Sequence, residues 1–385
     1  MEDWQSGGFG LYLHWPFCQS KCPYCDFNSH VAGKTDQKRW QSAYLAEIDR
    51  LAKDTAGRVL QTVFFGGGTP SLMEPDLVSA IINRIRSSWP MSNNPEITLE
   101  ANPGSIEMGR FRGYRDAGVT RVSMGMQAMN DADLRLLGRV HSAEEARKAF
   151  EVARQCFERV SFDLIYARQK QCLSEWRSEL NSALDLAVDH LSLYQLTIED
   201  GTVFGERHAR GGLKGLPGED LAADMYELTQ EICSSRGLPA YEVSNHARPG
   251  AESLHNLIYW RGGDYVGIGP GAHGRLTLGG TRFATEAPKS PDLWLALVES
   301  GAAGELPRTS LALCERADEY LIMSLRLREG MEVDRYEAMA GRPLDITKVA
   351  NLSSLGLILN SGNRIAATDK GRVLLNAIIR ELAVN

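Results

Sequence analysis

The chain has 385 residues, of which 43% are hydrophobic and 24% charged, and its formal net charge is −7. These proportions are those of an ordinary globular protein and exclude a collagen-like or low-complexity chain. The acidic balance argues against broad nucleic-acid or anionic-membrane binding, and no apolar run approaches the roughly 20 residues that span a bilayer. Because the first residues lack a secretion signal, we expect a cytoplasmic protein.

From residue 10 to about residue 196, short β-rich runs alternate with helix-length amphipathic stretches, a pattern typical of βα units around a parallel sheet. The predicted strands are Leu11–His14, Thr62–Phe65, Ile97–Glu100, Arg121–Met124, Val160–Ile165 and Leu191–Gln195. The predicted helices are Gln37–Lys53, Pro75–Ser88, Ile106–Ala117, Ala143–Cys156 and Leu173–Ala187. Six such strands form an incomplete barrel or an open wound sheet, and in either fold ligands gather at the carboxyl ends of the strands.

After residue 196 the alternation is less regular. Two glycine-rich stretches, 211–218 and 266–274, flank a predicted helix at Asp220–Ser234 and a predicted short strand at Ala240–Val243. From about residue 307 the pattern becomes helical, with predicted helices at Ala317–Leu327, Val333–Ala340 and Asp369–Leu382 and a hydrophobic run at Leu355–Leu359. We therefore predict two domains, residues 1–306 and a small, mostly helical domain of residues 307–385.

Three of the seven cysteines, Cys18, Cys22 and Cys25, fall in the loop after the first predicted strand. Structural zinc normally takes four protein ligands, whereas a four-iron cluster held by three cysteines leaves one iron free for an outside ligand. The absence of a fourth cysteine favours iron and sulfide, although His14 or His30 could complete a zinc site and the three cysteines could also simply pack in the protein. The scattered cysteines are expected to pack as small hydrophobes; they are Cys156, Cys172, Cys233 and Cys314.

A series of short motifs covers most of the chain. They occupy residues 11–18, 22–29, 65–71, 100–103, 121–127, 137–141, 163–166 and 255–260. Together they resemble the radical S-adenosylmethionine (SAM) superfamily, in the branch related to oxygen-independent coproporphyrinogen III dehydrogenase, which includes the HemW-type haem chaperones. This resemblance implies an α/β fold, an incomplete (β/α)6 TIM-like barrel with an extended sheet and a winged-helix-like C-terminal domain. It also implies a [4Fe-4S] cluster on Cys18, Cys22 and Cys25.

The resemblance further implies that SAM chelates the free iron and contacts residues at the ends of successive strands. Glycines after the second strand would let the backbone approach the cofactor closely, while Gln127, Arg139 and Asp163 would offer an amide, a forked cation and an acceptor. The implied SAM contacts are Tyr12, Tyr24, Gly67, Gly68, Thr69, Glu100, Gln127, Arg139 and Asp163.

His255, Tyr259 and Trp260 form a second candidate site. A helix would place His255 and Tyr259 on one face, and histidine is the usual proximal ligand of haem. From the residues alone, a hydrogen-bonded core histidine is the favoured interpretation; the resemblance to HemW-type proteins instead implies haem binding. His141 and His273 are expected to be structural.

Two departures from the family pattern bear on function. Phe27 stands where the dehydrogenases carry a further cysteine, and only 17 residues precede Cys18. Residues 167–170 read Ala-Arg-Gln-Lys where the family usually shows Gly-Leu-Pro-x. If that glycine position needs a positive φ, alanine there costs about 1 kcal/mol, which a fold of this size tolerates.

The leading hypothesis is a haem chaperone of the radical SAM type that binds a [4Fe-4S] cluster, SAM and haem and delivers haem to acceptor proteins. An oxygen-independent coproporphyrinogen III dehydrogenase and a zinc-stapled binding module are the alternatives, so enzymatic activity is left open. The expected partners are haem and haem-accepting proteins rather than nucleic acid, and a homodimer is left open.

Overall fold

The computed structural model describes residues 2–33, 35–105 and 108–383. The strands are β1 (Phe9–Trp15), β2 (Phe17–Cys18), β3 (His30–Val31), β4 (Leu60–Gly67), β5 (Met91–Ala101), β6 (Arg121–Gln127), β7 (Arg159–Tyr166), β8 (His190–Gln195), β9 (Asn245–Ala247), β10 (Asp264–Ile268), β11 (His273–Leu278), β12 (Thr281–Glu286), β13 (Thr309–Ser310), β14 (Met331–Glu332), β15 (Ile358–Asn360) and β16 (Arg364–Ala367). The helices are α1 (Gln37–Asp54), α2 (Pro75–Ser88), α3 (Met108–Ala117), α4 (Asp131–Leu136), α5 (Ala143–Cys156), α6 (Leu173–Leu186), α7 (Val203–Ala209), α8 (Glu219–Ser235), α9 (Leu254–Trp260), α10 (Pro291–Glu299), α11 (Leu313–Ser324), α12 (Val333–Ala340), α13 (Ile346–Ser354), α14 (Asp369–Val373) and α15 (Leu375–Leu382).

The six strands predicted from the sequence lie side by side in one sheet. They follow the order β1-β4-β5-β6-β7-β8 and pair in parallel throughout. On one side β10 adds a parallel strand to β1, and β11, β12 and β13 continue the sheet antiparallel; on the other side β9 pairs antiparallel with β8. The sheet has two free ends, so the predicted α/β fold, an incomplete barrel with an extended sheet, is confirmed.

The helices between these strands pack by apolar stripes. In α5, Ala146, Ala149, Phe150 and Ala153 are buried, which is the i, i+3, i+4, i+7 spacing of one helical face. The helix begins at a capping box, because Ser142 and Glu145 each bond the other's backbone N–H. Residues 106 and 107, the first two of the predicted helix Ile106–Ala117, lie outside the described residues.

The C-terminal part of the chain has its own hydrophobic core, which runs from Ala317 to Leu382. The three-stranded sheet β14-β16-β15 accompanies helices α11 to α15 there, as the winged-helix-like prediction required. The large sheet continues through β13, which pairs with β12, and the division into residues 1–306 and 307–385 stays a prediction. Of the helices described, none is both long and apolar enough to cross a membrane.

Two predicted elements were wrong. Residues 240–243 do not form a strand: the Glu242 carboxylate accepts from the backbone N–H groups of Val243 and Ser244 and from the Asn245 side chain, which bends the chain before the strand begins at Asn245. The single helix predicted at Asp369–Leu382 is broken at Leu374, where the φ of −108° and ψ of 22° leave the helical region.

Candidate functional site

The loop that carries the three cysteines is held at both ends. It follows β1 directly, and β2 pairs in parallel with β3, so residues 18–30 return to their starting point. Pro16 and Pro23 restrict its path, and the N–H of Cys25 donates to the carbonyl of Cys22 over 3.1 Å. The three half-buried thiols are free of disulfides and line one cavity at the carboxyl ends of β1 and β4 to β7, which is called the cofactor cavity below.

Each sulfur in this loop has a polar neighbour. The Thr69 hydroxyl donates to Cys18 Sγ over 3.4 Å, and Arg139 Nη1 donates to Cys22 Sγ over 3.4 Å. Cys25 Sγ lies 3.9 Å from the hydroxyl of Ser29. Burial raises the pKa of the Cys18 and Cys25 thiols. Burial therefore favours the thiol form of Cys18 and Cys25, and binding a metal would require these protons to leave.

The glycines at the end of β4 pack directly on β1 and on the start of the cysteine loop. Gly67 has φ +112°, and a Cβ there would lie 2.6 Å from the His14 ring. At Gly68 a Cβ would lie 2.8 Å from the carbonyl oxygen of Phe17. The N–H groups of Gly68 and Thr69 donate to the carbonyls of Trp15 and Phe17. Only glycine therefore allows this close approach of the two loops.

Two carboxyl groups, Glu100 and Asp163, line the same cavity. Burial, together with the nearby Asp163 charge, raises the pKa of Glu100 to about 8, and burial raises the pKa of Asp163 to about 6. Glu100 accepts from the N–H of Gly67 over 3.1 Å, and Asp163 from the Ser123 hydroxyl over 3.4 Å. A positively charged ligand would favour the ionised form of both groups.

Gln127 and Arg139 approach from the next strand and loop. Gln127 ends β6 with φ +70°, a conformation that a non-glycine residue rarely adopts and that is common at binding sites. Arg139 Nη2 donates to the carbonyl of Gly125 over 2.9 Å, while its Nη1 reaches Cys22. The arginine thereby ties the end of β6 to the cysteine loop.

The structure brings most of the predicted SAM contacts together. Those that line the cofactor cavity with the three cysteines are Tyr24, Gly67, Gly68, Thr69, Glu100, Gln127, Arg139 and Asp163. Tyr12 is the exception, because its hydroxyl bonds His14 Nδ1 over 3.0 Å and it lines a neighbouring cavity. Residues not singled out from the sequence also line the cofactor cavity; their positions at strand ends were the available signal, and they include Asn102, Ser123 and Gly125.

His255 and Tyr259 also meet, but inside the protein. His255 Nε2 bonds the Tyr259 hydroxyl over 2.6 Å, and Nδ1 bonds the Thr62 hydroxyl over 2.7 Å. The ring is 1% exposed and stacks on Phe64 with centroids 5.0 Å apart, and burial lowers the pKa of His255 to about 3. Both ring nitrogens are occupied, so ligation of haem by His255 would require breaking one of these bonds.

Trp260 does not join that pair. It is half-buried, and the Arg326 guanidinium lies 5.9 Å from the centre of its ring. Because Arg326 belongs to the C-terminal part of the chain, Trp260 contacts that part rather than the His255 ring. The three residues therefore do not form one surface in this structure, and haem binding by them stays a prediction.

In the unusual segment 167–170, two residues other than glycine have a left-handed backbone conformation. Ala167 has φ +56° and Lys170 φ +63°. Arg168 is buried and donates to Asp133 and Glu179, each over 2.6 Å. These two ion pairs join the end of β7 to α6 and to α4, the helix that precedes Arg139.

A second, larger cavity of about 700 Å³ adjoins the cofactor cavity, and both are lined by Lys21, Phe27, Ser29, Gly67 and Glu100. The other lining residues of the second cavity include Tyr12, His14, His30, Tyr259, Tyr265, His273 and Lys289. His14 is buried there with both ring nitrogens bonded, to the Tyr12 hydroxyl and to the Asn28 carbonyl. His141, by contrast, bonds the Met126 carbonyl and lines neither cavity.

The chain is similar to known proteins over most of its length. Residues 12–177 match the radical SAM superfamily domain. The chain is 34% identical to the haem chaperone HemW of Escherichia coli, with 96% of each chain covered. It is 36% identical to the mitochondrial radical S-adenosyl methionine domain-containing protein 1 of Danio rerio, over 96% of this chain and 85% of the relative.

Among solved structures, that of the coproporphyrinogen III oxidase HemN of Escherichia coli superposes with a TM-score of 0.81. The superposition covers 98% of this chain and 90% of HemN at 24% sequence identity. At this identity the likeness concerns the fold.

Proposed function

This chain belongs to the HemW family of the radical SAM superfamily, and we propose that it acts as a haem chaperone, binding haem and passing it to acceptor proteins. The similarity that carries the proposal extends over the whole length of a bacterial haem chaperone. It includes the cysteine loop, the strand ends that form the cofactor cavity and the C-terminal domain.

The donor set in the cofactor cavity fits a [4Fe-4S] cluster. Cys18, Cys22 and Cys25 would hold it, and Thr69 and Arg139 donate to the sulfurs that must carry negative charge. Each cysteine of such a cluster binds a different iron, so the three sulfurs need not converge on one point. When bound, the cluster supplies one iron without a cysteine ligand, to which amino and carboxylate groups of SAM can chelate.

The remaining cavity residues bind and orient the cofactor in this proposal. Gly67 and Gly68 leave room for the backbone to contact it, and Gln127 offers an amide at the end of β6. Glu100 and Asp163 accept from ribose hydroxyls and attract the positive sulfonium, an interaction that strengthens when they lose their protons.

The two alternatives have less support. A zinc site would need a fourth ligand, but His14 has both ring nitrogens bonded and His30 bonds the Asn28 side chain. No group of three or more His, Cys, Asp or Glu side chains in residues 2–33, 35–105 and 108–383 is arranged to hold a single metal ion.

A porphyrinogen dehydrogenase resembles this chain in fold. At the position where the dehydrogenases carry a further cysteine, however, this chain has Phe27, which is 61% exposed.

The test is haem transfer by the full chain after anaerobic reconstitution with iron and sulfide. The loaded protein is mixed with the apo-form of a haem-requiring enzyme, and the recovery of that enzyme's activity is followed against free haemin at equal concentration. Faster or more complete recovery from the loaded protein supports the proposal. Consumption of coproporphyrinogen III in the presence of SAM, without haem binding, would support the dehydrogenase instead.

We also propose a cytoplasmic location and a homodimer. The Danio rerio relative, by contrast, is named as mitochondrial.

A further inference from the structure

We infer that Arg168 is a positioning residue for the cofactor cavity, because through two carboxylates it holds Gln127 and Arg139 where they meet SAM. This role deepens the proposed function, since it rests on the proposed binding of SAM in that cavity. Arg168 itself is not among the described residues that line the cavity. It follows β7, between Ala167 and Lys170 with their left-handed backbone, and its side chain is 3% exposed.

One nitrogen of Arg168 is shared by two carboxylates. Nη2 donates to Asp133 Oδ2 and to Glu179 Oε2, each over 2.6 Å, and Nη1 donates to the carbonyl of Ile165 near the end of β7. The Glu179 side chain is nearly as buried as that of Arg168. Removing the cation would leave two like charges close together without compensation. The shared contact therefore fixes α4 and α6 relative to β7.

Glu179 carries this constraint to the segment that follows Gln127. Its other oxygen accepts from the backbone N–H of Met129 over 2.7 Å, two residues after Gln127. The φ of Gln127 is +70°, and a residue other than glycine keeps such a conformation only when its surroundings hold it there. Glu179 provides part of that support, and Arg168 in turn holds Glu179.

Asp133 carries the constraint to Arg139. It lies in the first turn of α4, where its N–H donates to Asn130 Oδ1 over 2.9 Å and its Oδ2 accepts from Asn130 Nδ2 over 2.7 Å. At the other end of the helix, the N–H of Arg139 donates to the carbonyl of Leu134 over 2.8 Å. The backbone of Arg139 is thus bonded to the helix that Asp133 anchors.

The same helix packs on the cysteine loop. Gly138 has φ +69°, and a Cβ there would lie 2.5 Å from the ring of Pro23. Leu134 and Leu137 belong to a small buried cluster on which Tyr24 packs. A shift of α4 would therefore displace both the arginine that follows it and its contact with the loop that holds the cysteines.

The experiment is equilibrium dialysis of SAM against the full chain, reconstituted anaerobically, with affinity referred to protein that carries iron and sulfide. Arg168→Met should raise the dissociation constant of SAM about tenfold, the loss expected when a hydrogen bond to a charged group is misplaced. Arg168→Lys keeps a cation between the carboxylates and should raise it by only about threefold or less. Iron and sulfide content should match that of the unmodified chain in both variants.

Arg58→Met is the matched control. It removes a buried ion pair with Asp264, but these residues precede β4 and begin β10, at the edge of the sheet opposite the cofactor cavity. The control should lower stability and leave SAM affinity unchanged. An equal loss of SAM affinity in Arg58→Met and Arg168→Met would show a general effect of lost stability and overturn the role of Arg168.

A second measurement asks whether Arg168 acts through Arg139. In the Arg139→Ala protein, Arg168→Met should weaken SAM binding by only about threefold or less, because one of the two groups that it positions is already absent. The full tenfold loss in both backgrounds would overturn the assignment. Should Arg168→Met fail to fold, Glu179→Gln decides instead: loss of this charge should raise the dissociation constant at least threefold, and an unchanged constant would overturn the assignment.

The results separate this role from the proposed function. If the unmodified chain binds SAM and Arg168→Met binds it equally well, Arg168 is not a positioning residue and the SAM site stands. If Arg168→Met loses its iron and sulfide, Arg168 serves the cluster loop instead, and the assignment is overturned. If the unmodified, cluster-loaded chain binds no SAM, the proposed SAM site itself fails.

Discussion

The guanidinium of Arg139 and the sulfur of Cys22 are hydrogen-bonded across the cofactor cavity, with Nη1 3.4 Å from Sγ. A second nitrogen of the same arginine holds the Gly125 carbonyl at 2.9 Å. One side chain thus fixes both the cysteine loop and the end of β6, between which we propose that SAM binds.

Replacing Arg139 by alanine should therefore weaken SAM binding. Hydrogen bonds to a charged group contribute about 1.5–3 kcal/mol, so the dissociation constant should rise by about tenfold to a hundredfold. Equilibrium dialysis of SAM against the reconstituted protein measures this. Arg135→Ala, at an exposed position in α4, is the control; equal affinities for the two variants would contradict a role of Arg139 in the site.

Glu100→Gln should make stability less dependent on pH. The pKa of Glu100 is about 8 in the folded protein and near 4.3 in an unfolded chain. The folded state therefore retains this proton while the unfolded state releases it, and stability is lost as pH rises from about 4.5 to about 8. Glutamine carries no charge at any pH.

Thermal unfolding between pH 5 and pH 8.5 tests this prediction in the protein without cluster. The melting temperature of Glu100→Gln minus that of the unmodified chain should grow as pH rises. Glu144→Gln, at an exposed side chain of α5, should show no such trend. A difference that stays constant with pH for Glu100→Gln would show that its carboxyl is ionised in the folded protein.

Ala167→Gly should stabilise the protein by about 0.5–1 kcal/mol. Ala167 has φ +56°, where a Cβ costs about 1 kcal/mol or more, partly offset by the greater freedom of glycine in the unfolded chain. Urea denaturation measures the change. Ala209→Gly, in the last turn of α7, should instead be neutral or destabilising, and a loss of stability in Ala167→Gly would contradict the structure of this loop.

His255→Ala should lower the free energy of unfolding by roughly 2–4 kcal/mol, because it leaves the buried Thr62 hydroxyl and the Tyr259 hydroxyl without their partner. Tyr259→Phe removes one of these bonds and should cost about 1 kcal/mol. Denaturation of the protein without haem measures both. A His255→Ala protein as stable as the unmodified chain would mean that the histidine does not hold these hydroxyls together.

Much of the fold was predictable because its signals are local. The six parallel strands from β1 to β8 are short apolar runs separated by amphipathic helices, and both patterns follow directly from burial. The cysteine loop and the strand-end residues Glu100, Gln127 and Asp163 could be predicted to converge because parallel strands bring their carboxyl ends to one edge.

What escaped prediction depends on side-chain contacts that no hydrophobic pattern reveals, one of them local and one between distant segments. Glu242 bends the chain by bonding the backbone that follows it, and residues 240–243 carry no local sign of this. The i, i+4 spacing of His255 and Tyr259 indicated that a helix would bring them together, but Thr62, which occupies the other ring nitrogen, lies 193 residues away.

The most direct test of the central claim, that three sulfurs of one loop hold an iron–sulfur cluster, is the iron and acid-labile sulfide content of anaerobically reconstituted protein. The account predicts about four irons and four sulfides per chain. Cys18→Ser, Cys22→Ser and Cys25→Ser should each lose most of both, and Cys172→Ser, which removes an exposed thiol elsewhere, should lose neither. Full iron and sulfide in any of the three loop variants, or bound zinc without sulfide in the unmodified chain, would contradict it.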